Sequence, residues 1–292
     1  MQRALTLSTL RKYAYGYSSV PFTVTSNCIW DVKKKFYQDI VIDSGATLTI
    51  TCTLEMVSEA KIDVMPGGKL IIDGGIVTNA YNCGLWQGIE VLGNPLSSQD
   101  ISNTNQGILI LQNGAVIQNA KCGVLLGKKI PAFIVNFQSQ IISLPEEYDG
   151  AMAWSWYGGG IVSAENSSFI NNKQSVNFQS YIHVNTSNFE VDNKSSFINC
   201  SFVTNNDVLF STTNNDIQVY LYGVKGVKFN GCVFEDAQTK SSLNDYGIGV
   251  YSFNAGICIN DNRSPYSIIH YESTPCSFSG YNTVIFKNYN LY

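Results

Sequence analysis

Apolar and polar residues alternate in short runs along this chain. Leu48 and Ile50 alternate with threonines, and Ile62 alternates with Lys61 and Asp63. Alternation with a period of two is typical of a β-strand that buries one face. Turn residues separate these runs after only a few positions. The pattern therefore predicts many short strands, each with one side in a core.

Short sequence motifs also repeat along the chain. Gly-Gly-Ile-Val-Thr-Asn-Ala at 74–80 returns as Gly-Ala-Val-Ile-Gln-Asn-Ala at 114–120. Ser-Ser-Phe-Ile-Asn-Asn at 167–172 returns as Ser-Ser-Phe-Ile-Asn-Cys at 195–200. Repetition at a period of roughly 20–50 residues is typical of a solenoid, and here each repeat consists of strands.

Three strands are predicted in each repeat. Ile161, Phe169 and Val176 recur every seven or eight residues, each in its own apolar run. Asn-Gly pairs at 113–114 and 230–231 are typical of antiparallel hairpins, but they separate strands that repeat in register. We predict an all-β fold, a right-handed parallel β-helix of about ten coils. A β-sandwich or a propeller is the alternative.

The repeat pattern also predicts how the chain is divided into segments. Residues 1–29 are predicted as an N-terminal cap or lead-in, with the best helical candidate at 2–13, and 30–292 as a single β-helix domain. An insertion at 128–157 interrupts the repeats, and insertions of this kind often form the binding face of a solenoid. Because a solenoid needs a polar cap at each end and a predicted strand at 283–287 lies close to the last residue, we expect a piece of a longer protein.

Asparagines close many of the apolar runs. Asn tolerates the left-handed conformation that a sharp corner requires, and stacked amides hydrogen bond along a repeat axis. We therefore predict a structural role for them, at corners between strands. These residues are Asn79, Asn119, Asn171, Asn172, Asn199, Asn205 and Asn206.

Two pairs of the eight cysteines occupy equivalent repeat positions, Cys83 with Cys122 and Cys200 with Cys232. No pair has the CxxC spacing, which argues against zinc. Equivalent positions in adjacent coils stack about 4.8 Å apart. That distance permits a disulfide, but a ladder of buried thiols is favoured because unpaired Cys is commonly buried.

Charge and composition narrow the range of partners. The net charge is −4 and charged residues make up only 14% of the chain, which gives no electrostatic footprint for nucleic acid. No apolar run approaches the roughly 20 residues of a membrane span, and no signal peptide is visible at the N-terminus. The chain has two histidines, few for a metal or acid–base site, so no metal or other cofactor is predicted.

A family resemblance rests on residues 65–75 and 86–91, and on 159–164 followed by 168–172. These segments resemble secreted bacterial right-handed parallel β-helix proteins of the pectin-lyase-like type, which often end in a C-terminal type-nine secretion sorting domain. The resemblance covers about residues 30–253, and no sorting domain follows. It implies an extracellular or bacterial cell-surface location. Most such proteins have no assigned activity, so it implies little about chemistry.

Enzymatic activity needs more than the fold. Polygalacturonase-like enzymes need clustered aspartates, a Gly-His-Gly stretch and an Arg-Lys pair, and this chain has no Gly-His. Asp63, Asp73 and Glu90 could lie on neighbouring coils and form a calcium site for a lyase. We instead predict that they are separate, solvated acids at the surface, because isolated surface acids are the norm. The adjacent pairs 146–147 and 235–236 should face opposite ways if they lie in strands.

The insertion supplies the predicted ligand-binding residues. Aromatic rings stack on sugars or on partner side chains, and an acidic run beside them favours a neutral or basic partner over a polyanion. The alternative is an aromatic lid folded over the coil. The predicted residues are Trp154, Trp156, Tyr157, Glu146, Glu147 and Asp149.

Two functions follow from these observations. The first is a non-catalytic secreted or cell-surface module, a stalk or an adhesive surface that binds a glycan or a surface protein. The alternative is a polysaccharide lyase or glycoside hydrolase. The discriminating feature is three or more carboxylates, with or without a lysine, that converge in one groove along the stacked strands.

Overall fold

In the computed structural model, all regular structure of the described residues is β-structure. The description covers residues 16–81, 84–94, 97–100, 105–127, 158–179, 192–213, 216–222, 224–239, 247–253 and 255–260. It also covers the backbone of short strands at 133–135, 141–143, 183–184, 190–191, 268–271 and 278–279.

Three long sheets contain most of the strands. Sheet A contains β1 (Ser18–Val24), β4 (Gln38–Ile42), β7 (Lys61–Val64), β10 (Trp86–Val91), β13 (Ala120–Leu126), β18 (Gln174–Gln179), β23 (Ile217–Tyr222), β26 (Ile248–Phe253) and β28 (Ile268–Tyr271). Sheet B contains β2 (Cys28–Trp30), β5 (Thr47–Ile50), β8 (Lys69–Asp73), β11 (Ile108–Gln112), β16 (Ile161–Glu165), β21 (Ser196–Ile198), β24 (Lys225–Asn230), β27 (Gly256–Asn260) and β29 (Phe278–Ser279). Sheet C contains β3 (Lys34–Phe36), β6 (Thr53–Met56), β9 (Ile76–Asn79), β12 (Val116–Gln118), β17 (Ser168–Ile170), β22 (Ser201–Thr204) and β25 (Val233–Asp236).

Every neighbouring pair in these three sheets is parallel, and each strand pairs with strands one turn before and one turn after it. Antiparallel strand pairs occur, within the described residues, in two short hairpins, β14 (Phe133–Val135) with β15 (Ile141–Ser143) and β19 (His183–Val184) with β20 (Glu190–Val191). The chain is therefore a right-handed parallel β-helix with three strands per turn, as its sequence predicts.

The number of turns is close to the prediction of about ten, since sheets A and B each hold nine strands. Parallel pairing begins at Ser18, in register with Gln38. Strands β1 and β2 therefore belong to the helix, although they fall almost wholly in the segment 1–29 that the sequence predicts as a cap or lead-in.

The core is a set of stacked columns of inward side chains. Phe169, Phe202 and Phe234 stack on sheet C, with ring centroids 4.8 Å apart at each step and ring planes within 6°. Phe197 and Phe229 repeat this arrangement on sheet B, also at 4.8 Å. This distance equals the strand spacing of a β-sheet. The alternation read from the sequence places these columns correctly.

The corner between sheets B and C is built from residues with positive φ. Gly74, Asn113, Asn166, Asn199 and Gly231 have φ between 48° and 67°. Each lies directly after a strand of sheet B, and only Gly and Asn adopt this conformation readily. Asn199 Nδ2 also donates to Asn166 Oδ1 one turn earlier, at 3.3 Å.

The corner between sheets C and A uses asparagine in the same way. Asn119 and Asn171 have φ of 57° and 52°. Asn119 Nδ2 donates to Asn79 Oδ1 at 2.9 Å, and Asn171 Nδ2 donates to Asn205 Oδ1 at 2.7 Å. The predicted structural role of the asparagines, including amide bonds along the axis, is confirmed at these positions.

Cys200 and Cys232 form the thiol ladder that the sequence favours. Both are buried and precede the paired residues Ser201 and Val233. They are thiols, and each donates to a backbone carbonyl at 3.4 Å, Cys200 Sγ to Ile198 and Cys232 Sγ to Phe197. Cys83 lies outside the described residues, so the pair that it was predicted to form with Cys122 stays a prediction.

Candidate functional site: the outer face of sheet A

The connections between strands differ in length from one corner to the next. From β2 to β25, the connections at the corner between sheets B and C are two or three residues long, for example 51–52, 166–167 and 231–232. The long connections all lie at the other two corners. From sheet A to sheet B they are 92–107, 127–160 and 180–195, and from sheet C to sheet A they are 205–216 and 237–247. Long segments therefore border sheet A on both of its edges.

One row of side chains runs along the middle of the outer face of sheet A, and we call it the central row. Glu90 lies between the buried residues Ile89 and Val91, so its side chain points away from the core. Strand register places the other members in line with it. In order along the axis, the central row is Val41, Asp63, Glu90, Leu125, Asn177, Tyr220 and Tyr251.

Four charged side chains meet at the N-terminal part of this face, and we call Asp39, Lys61, Asp63 and Glu90 the carboxylate cluster. Lys61 Nζ lies 2.7 Å from Glu90 Oε2 and 2.9 Å from Asp63 Oδ1. Asp39 Oδ1 accepts hydrogen bonds from the backbone N–H of Lys61 at 3.0 Å and from the Tyr17 hydroxyl at 3.3 Å. Two carboxyl groups thus contact the Lys61 ammonium group, and a third accepts from the backbone of the same lysine.

Burial changes the protonation of this cluster. Glu90 is only 7% exposed, and burial raises its pKa to about 7, with the charge of Asp63 adding to the rise and Lys61 opposing it. Burial also raises the pKa of Asp39. For Lys61, burial acts against the charged form, but the carboxylates of Glu90 and Asp63 outweigh it and raise the pKa of the ammonium group. Lys61 is therefore a cation near neutral pH, and Glu90 carries a proton part of the time.

Two buried oxygen atoms on this face lack a hydrogen bond. Asp63 Oδ1 and Asn177 Oδ1 are, among the described residues, the buried side-chain polar atoms without a hydrogen-bond partner. The Lys61 ammonium lies near Asp63 Oδ1, but its direction does not give a hydrogen bond. Unsatisfied buried acceptors are rare and call for an explanation such as water or a ligand. Both atoms belong to the central row.

Tyrosines occupy the same face farther along the axis. The Tyr220 ring is parallel to within 3° to the rings of Tyr222 and Tyr251, with centroids 6.5 and 5.5 Å away. All three side chains are half-buried. Parallel rings on a rigid sheet supply apolar surface together with phenol hydroxyls.

A small cavity lies at the edge of this face, where the connections 205–216 and 237–247 approach β23. Its lining includes Lys173, Thr204 and Gln218. Gln218 Nε2 donates to Thr204 Oγ1 at 2.5 Å, so the polar groups at the base of the cavity are held in place by neighbouring strands.

The acids named as possible calcium ligands do not come together as a set. Asp63 and Glu90 are neighbours in register, whereas Asp73 lies on sheet B and accepts a hydrogen bond from Asn113 Nδ2 at 2.5 Å. In the part of the chain that the structure describes, no group of three or more His, Cys, Asp or Glu residues is placed to hold a metal ion.

Sequence reasoning did not assign Asp39 and Lys61 to a site. Asp39 and Lys61 each precede an inward isoleucine, and these isoleucines, Ile40 and Ile62, pair in register. This shared position is the sequence feature that could have placed the two residues side by side. The pair Glu235 and Asp236 was correctly expected to face opposite ways, because Asp236 is buried and Glu235 lies on the outer side of β25.

The predicted ligand-binding residues of the insertion lie outside the described residues. They are Trp154, Trp156, Tyr157, Glu146, Glu147 and Asp149. Their segment belongs to the connection 127–160, which leaves β13 of sheet A and returns at β16 of sheet B.

Comparisons with protein-family models, with curated proteins and with solved structures found no match to this chain. Nor do the described residues include a helix of the length and apolarity needed to cross a membrane.

Proposed function

We propose that this protein is a secreted or cell-surface β-helix that binds a glycan on the outer face of sheet A. The observation that carries the proposal is the position of the long connections. They border sheet A on both edges and are missing from the described corner between sheets B and C. Insertions in solenoids are commonly placed on the binding face.

The chemistry of the central row favours a glycan. Asp63 and Glu90 offer oxygen acceptors at neighbouring positions of a rigid sheet, and Asn177 offers another beyond Leu125. Sugar hydroxyls can donate to these acceptors. Tyr220 and Tyr251 add apolar ring surface with a polar end. A row of this kind repeats at about 4.8 Å along the axis, which suits an extended chain of repeating units.

A protein partner is less well supported by this face. Protein interfaces have an apolar and aromatic core. Beyond the first turn, the large hydrophobic side chain exposed among the described residues is Ile198, which lies on sheet B. Apart from its half-buried tyrosines, the central row therefore presents none of the exposed large apolar side chains on which a stable protein contact depends.

The proposed location has separate support. The resemblance of residues 65–75 and 86–91 to secreted bacterial β-helix proteins favours the outside of the cell. The acidic insertion at 146–149, attached at the edge of sheet A, would repel polyanions at close range. We therefore propose a neutral glycan as the ligand.

The test is a glycan array followed by titration of the strongest neutral ligand. Tyr220→Ala and Tyr251→Ala are each expected to weaken binding about tenfold, which corresponds to roughly 1.4 kcal/mol. Ile198→Ala is the matched control, since it truncates an outward side chain on sheet B. Failure of the wild-type protein to bind any neutral glycan would refute the proposal, and so would equal losses from the sheet A variants and the control.

The insertion can be tested in the same titration. The double substitution Trp154→Ala and Trp156→Ala is expected to reduce glycan binding while leaving the thermal midpoint nearly unchanged, because a binding loop contributes few core contacts. A fall in the midpoint that matches a loss of roughly 3–5 kcal/mol per buried Trp would instead support the lid alternative.

A second candidate function, glycoside hydrolysis, is favoured by the carboxylate cluster. Glu90 Oε2 and Asp63 Oδ1 lie 2.7 and 2.9 Å from the same nitrogen. Their separation is therefore no more than about 6 Å, which is shorter than the roughly 6.5–9.5 Å of inverting glycosidases and leaves the retaining mechanism as the candidate. A pKa near 7 suits Glu90 to the role of general acid.

In that candidate, Glu90 gives its proton to the glycosidic oxygen while the bond from that oxygen to the anomeric carbon breaks. The Asp63 carboxylate bonds to the anomeric carbon, and water then displaces it, returning a proton to Glu90. Lyase chemistry is less favoured, because the proton-abstracting base would be Lys61, which its neighbours hold in the charged form.

Release of reducing sugar from neutral polysaccharides tests the candidate. Glu90→Gln should abolish release while the affinity for the glycan persists. Glu165→Gln, which alters an exposed carboxyl group at the end of β16 on sheet B, is the control. Binding without release by the wild-type protein would leave the glycan-binding proposal standing and eliminate hydrolysis.

A further inference from the structure

The polar cavity at the edge of sheet A lies beside the tyrosines of the proposed ligand surface. Val219 and Leu221 of β23 are fully buried in the core, so Gln218 and Tyr220 point to the outer face of the sheet. Gln218 lines the cavity and is only 8% exposed. Residues two positions apart in a strand are separated by about 6.6 Å. The cavity is therefore within reach of a sugar unit that stacks on Tyr220.

The cavity is small. The space in it that is open to the centre of a water-sized sphere is about 10 Å³, which admits one water molecule or one hydroxyl group but not a sugar ring. Thr212, in its wall, donates to Gln238 Oε1 at 2.6 Å and so joins the connections 205–216 and 237–247. A ligand can therefore place a single substituent in the cavity while its ring stays outside.

A chain of hydrogen bonds orients the base of the cavity. Ser175 Oγ donates to Gln218 Oε1 at 2.6 Å, and Gln218 Nε2 donates to Thr204 Oγ1 at 2.5 Å. Each of these three residues is less than a tenth exposed. Because the Thr204 oxygen accepts in this chain, its hydroxyl keeps its own proton for another acceptor. The base therefore offers an oriented donor to a ligand oxygen.

Two carboxyl groups line the same cavity. Asp236 is 5% exposed and accepts from the backbone N–H of Gln238 at 3.2 Å. Asp216 accepts from the backbone N–H of Thr213 at 2.6 Å. A carboxylate has about four acceptor positions, so these groups can also accept from a ligand hydroxyl.

The charge of the lining discriminates between substituents. Lys173 also lines the cavity, but it is exposed, whereas Asp236 is buried. Solvent and salt screen an exposed charge more than a buried one, so the interior of the cavity is acidic. A hydroxyl group, which donates and accepts at once, matches this lining, and a carboxylate is repelled by it.

We propose that this cavity receives the exocyclic hydroxymethyl group of a neutral hexose whose ring stacks on Tyr220. The inference rests on the proposed binding of a neutral glycan and adds the class of sugar. A pentose has only hydrogen in place of the hydroxymethyl group, so the donor and acceptors of the cavity gain nothing from it. A hexuronic acid places a carboxylate there, next to Asp236. The cavity therefore selects hexoses over both.

The experiment titrates the full chain with β-1,4-linked hexamers by calorimetry. Glucose and mannose hexamers are the hexose probes, and xylose and glucuronic acid hexamers differ from the glucose hexamer only in the group that the cavity receives. At least one hexose hexamer should bind about tenfold or more tightly than the xylose hexamer, as an added hydrogen bond to a charged group predicts, and the glucuronic acid hexamer should bind more weakly than the glucose hexamer.

Equal affinities for the hexose and xylose hexamers overturn the proposal. Failure of both hexose hexamers to bind also overturns it. Binding of other neutral glycans on the array would in either case leave the proposed function standing, whereas no neutral glycan binding at all would refute both.

Two variants locate the selection. Thr204→Val should remove most of the hexose advantage and leave the affinity for the xylose hexamer nearly unchanged, whereas Thr78→Val, which removes a buried hydroxyl elsewhere on sheet C, should preserve the advantage. Asp236→Asn should reduce the discrimination against glucuronic acid about tenfold, whereas Glu235→Gln, on the outer side of β25, should not. The unchanged xylose affinity shows that a variant is folded. Selectivity that is the same in each variant as in its control overturns the proposal.

Discussion

Replacing Glu90 by glutamine is expected to change how stability depends on pH. Burial raises the pKa of Glu90 from about 4.5 to about 7, with Asp63 adding to the rise and Lys61 opposing it. A carboxyl group with a raised pKa keeps its proton in the folded state over a pH range where the unfolded chain has lost it. The contribution of Glu90 is therefore most favourable below pH 4.5 and falls as the pH rises towards 7.

The size of the effect follows from the shift. Each pH unit in this window corresponds to about 1.4 kcal/mol, so the free energy of unfolding can fall by at most about 3 kcal/mol between its two ends. Glutamine does not titrate and keeps one oxygen that can accept from Lys61. Glu90→Gln should therefore match the wild-type protein to within about 1 kcal/mol at the acid end and exceed it by about 1–3 kcal/mol at the neutral end.

Urea denaturation followed by circular dichroism, at four pH values from about 4.5 to about 7.5, measures this difference. Other groups also titrate in the window. Burial raises the pKa of Asp39, and a hydrogen bond from Lys33 lowers that of Glu55. Both are present in the two proteins and largely cancel in the comparison. Glu165→Gln is the control variant. A difference between wild type and Glu90→Gln that stays constant with pH would refute the reasoning.

Three further predictions concern the fold itself and are read from thermal or urea denaturation. Phe202→Ala, in the stacked core column, should lower the free energy of unfolding by about 3–5 kcal/mol. Val203→Ala, on the outer side of the same strand, should lower it by under about 1 kcal/mol. Equal losses would contradict the assigned register. Asn199→Ala should cost about 1–2 kcal/mol because of its positive φ, while Asn199→Gly should cost less. Gly88→Ala should destabilise the protein far more than Gly114→Ala, although φ is positive at both positions. An added Cβ at 88 would collide with a carbonyl oxygen on β13, whereas one at 114 would meet open space. Similar losses from the two variants would show that φ strain alone determines the cost.

The fold follows from local pattern. Alternation around Leu48 and Ile62 predicts strands with one buried face, and both residues are fully buried. Repetition of Ser-Ser-Phe-Ile-Asn at 167–171 and 195–199 predicts that the two segments stack, and this is wrong. Phe169 lies on sheet C and pairs with Phe202, whereas Phe197 lies on sheet B and pairs with Phe229. Both are buried, so the motif marks an inward Phe before a corner and not one position in the turn. Asn119 was predicted to lie at a corner because Asn, unlike most residues, tolerates the left-handed conformation that a sharp corner requires. Each of these inferences needs only neighbours in sequence and the geometry of a strand or a turn.

The candidate site does not follow in the same way, because it depends on the length of each turn. Asp39 and Lys61 are 22 residues apart, whereas Lys61 and Glu90 are 29 apart. With turns of unequal length, the sequence alone does not determine which outward residues share a row. The sequence could suggest that Asp63 and Glu90 lie on neighbouring coils. It could not show that Asp73 lies apart from them, because that depends on the sheet to which each strand belongs.

The three corners of the helix also differ in how much change they tolerate, and this difference bears on where function resides. At the corner between sheets B and C, the turns from Gly74 to Gly231 reverse through one residue of positive φ, and Asn199 bonds to Asn166 from one turn to the next. Cys200 and Cys232 stack in the core beside this corner. An added residue there would shift the register of the strand that follows and turn its inward side chains outward. At the corners beside sheet A, connections range from the single residues 37 and 119 to the long segments 92–107 and 127–160, so these corners accommodate connections of different lengths. Binding chemistry can therefore vary at the edges of sheet A without disturbing the core, which is why the proposed ligand surface is assigned to this sheet.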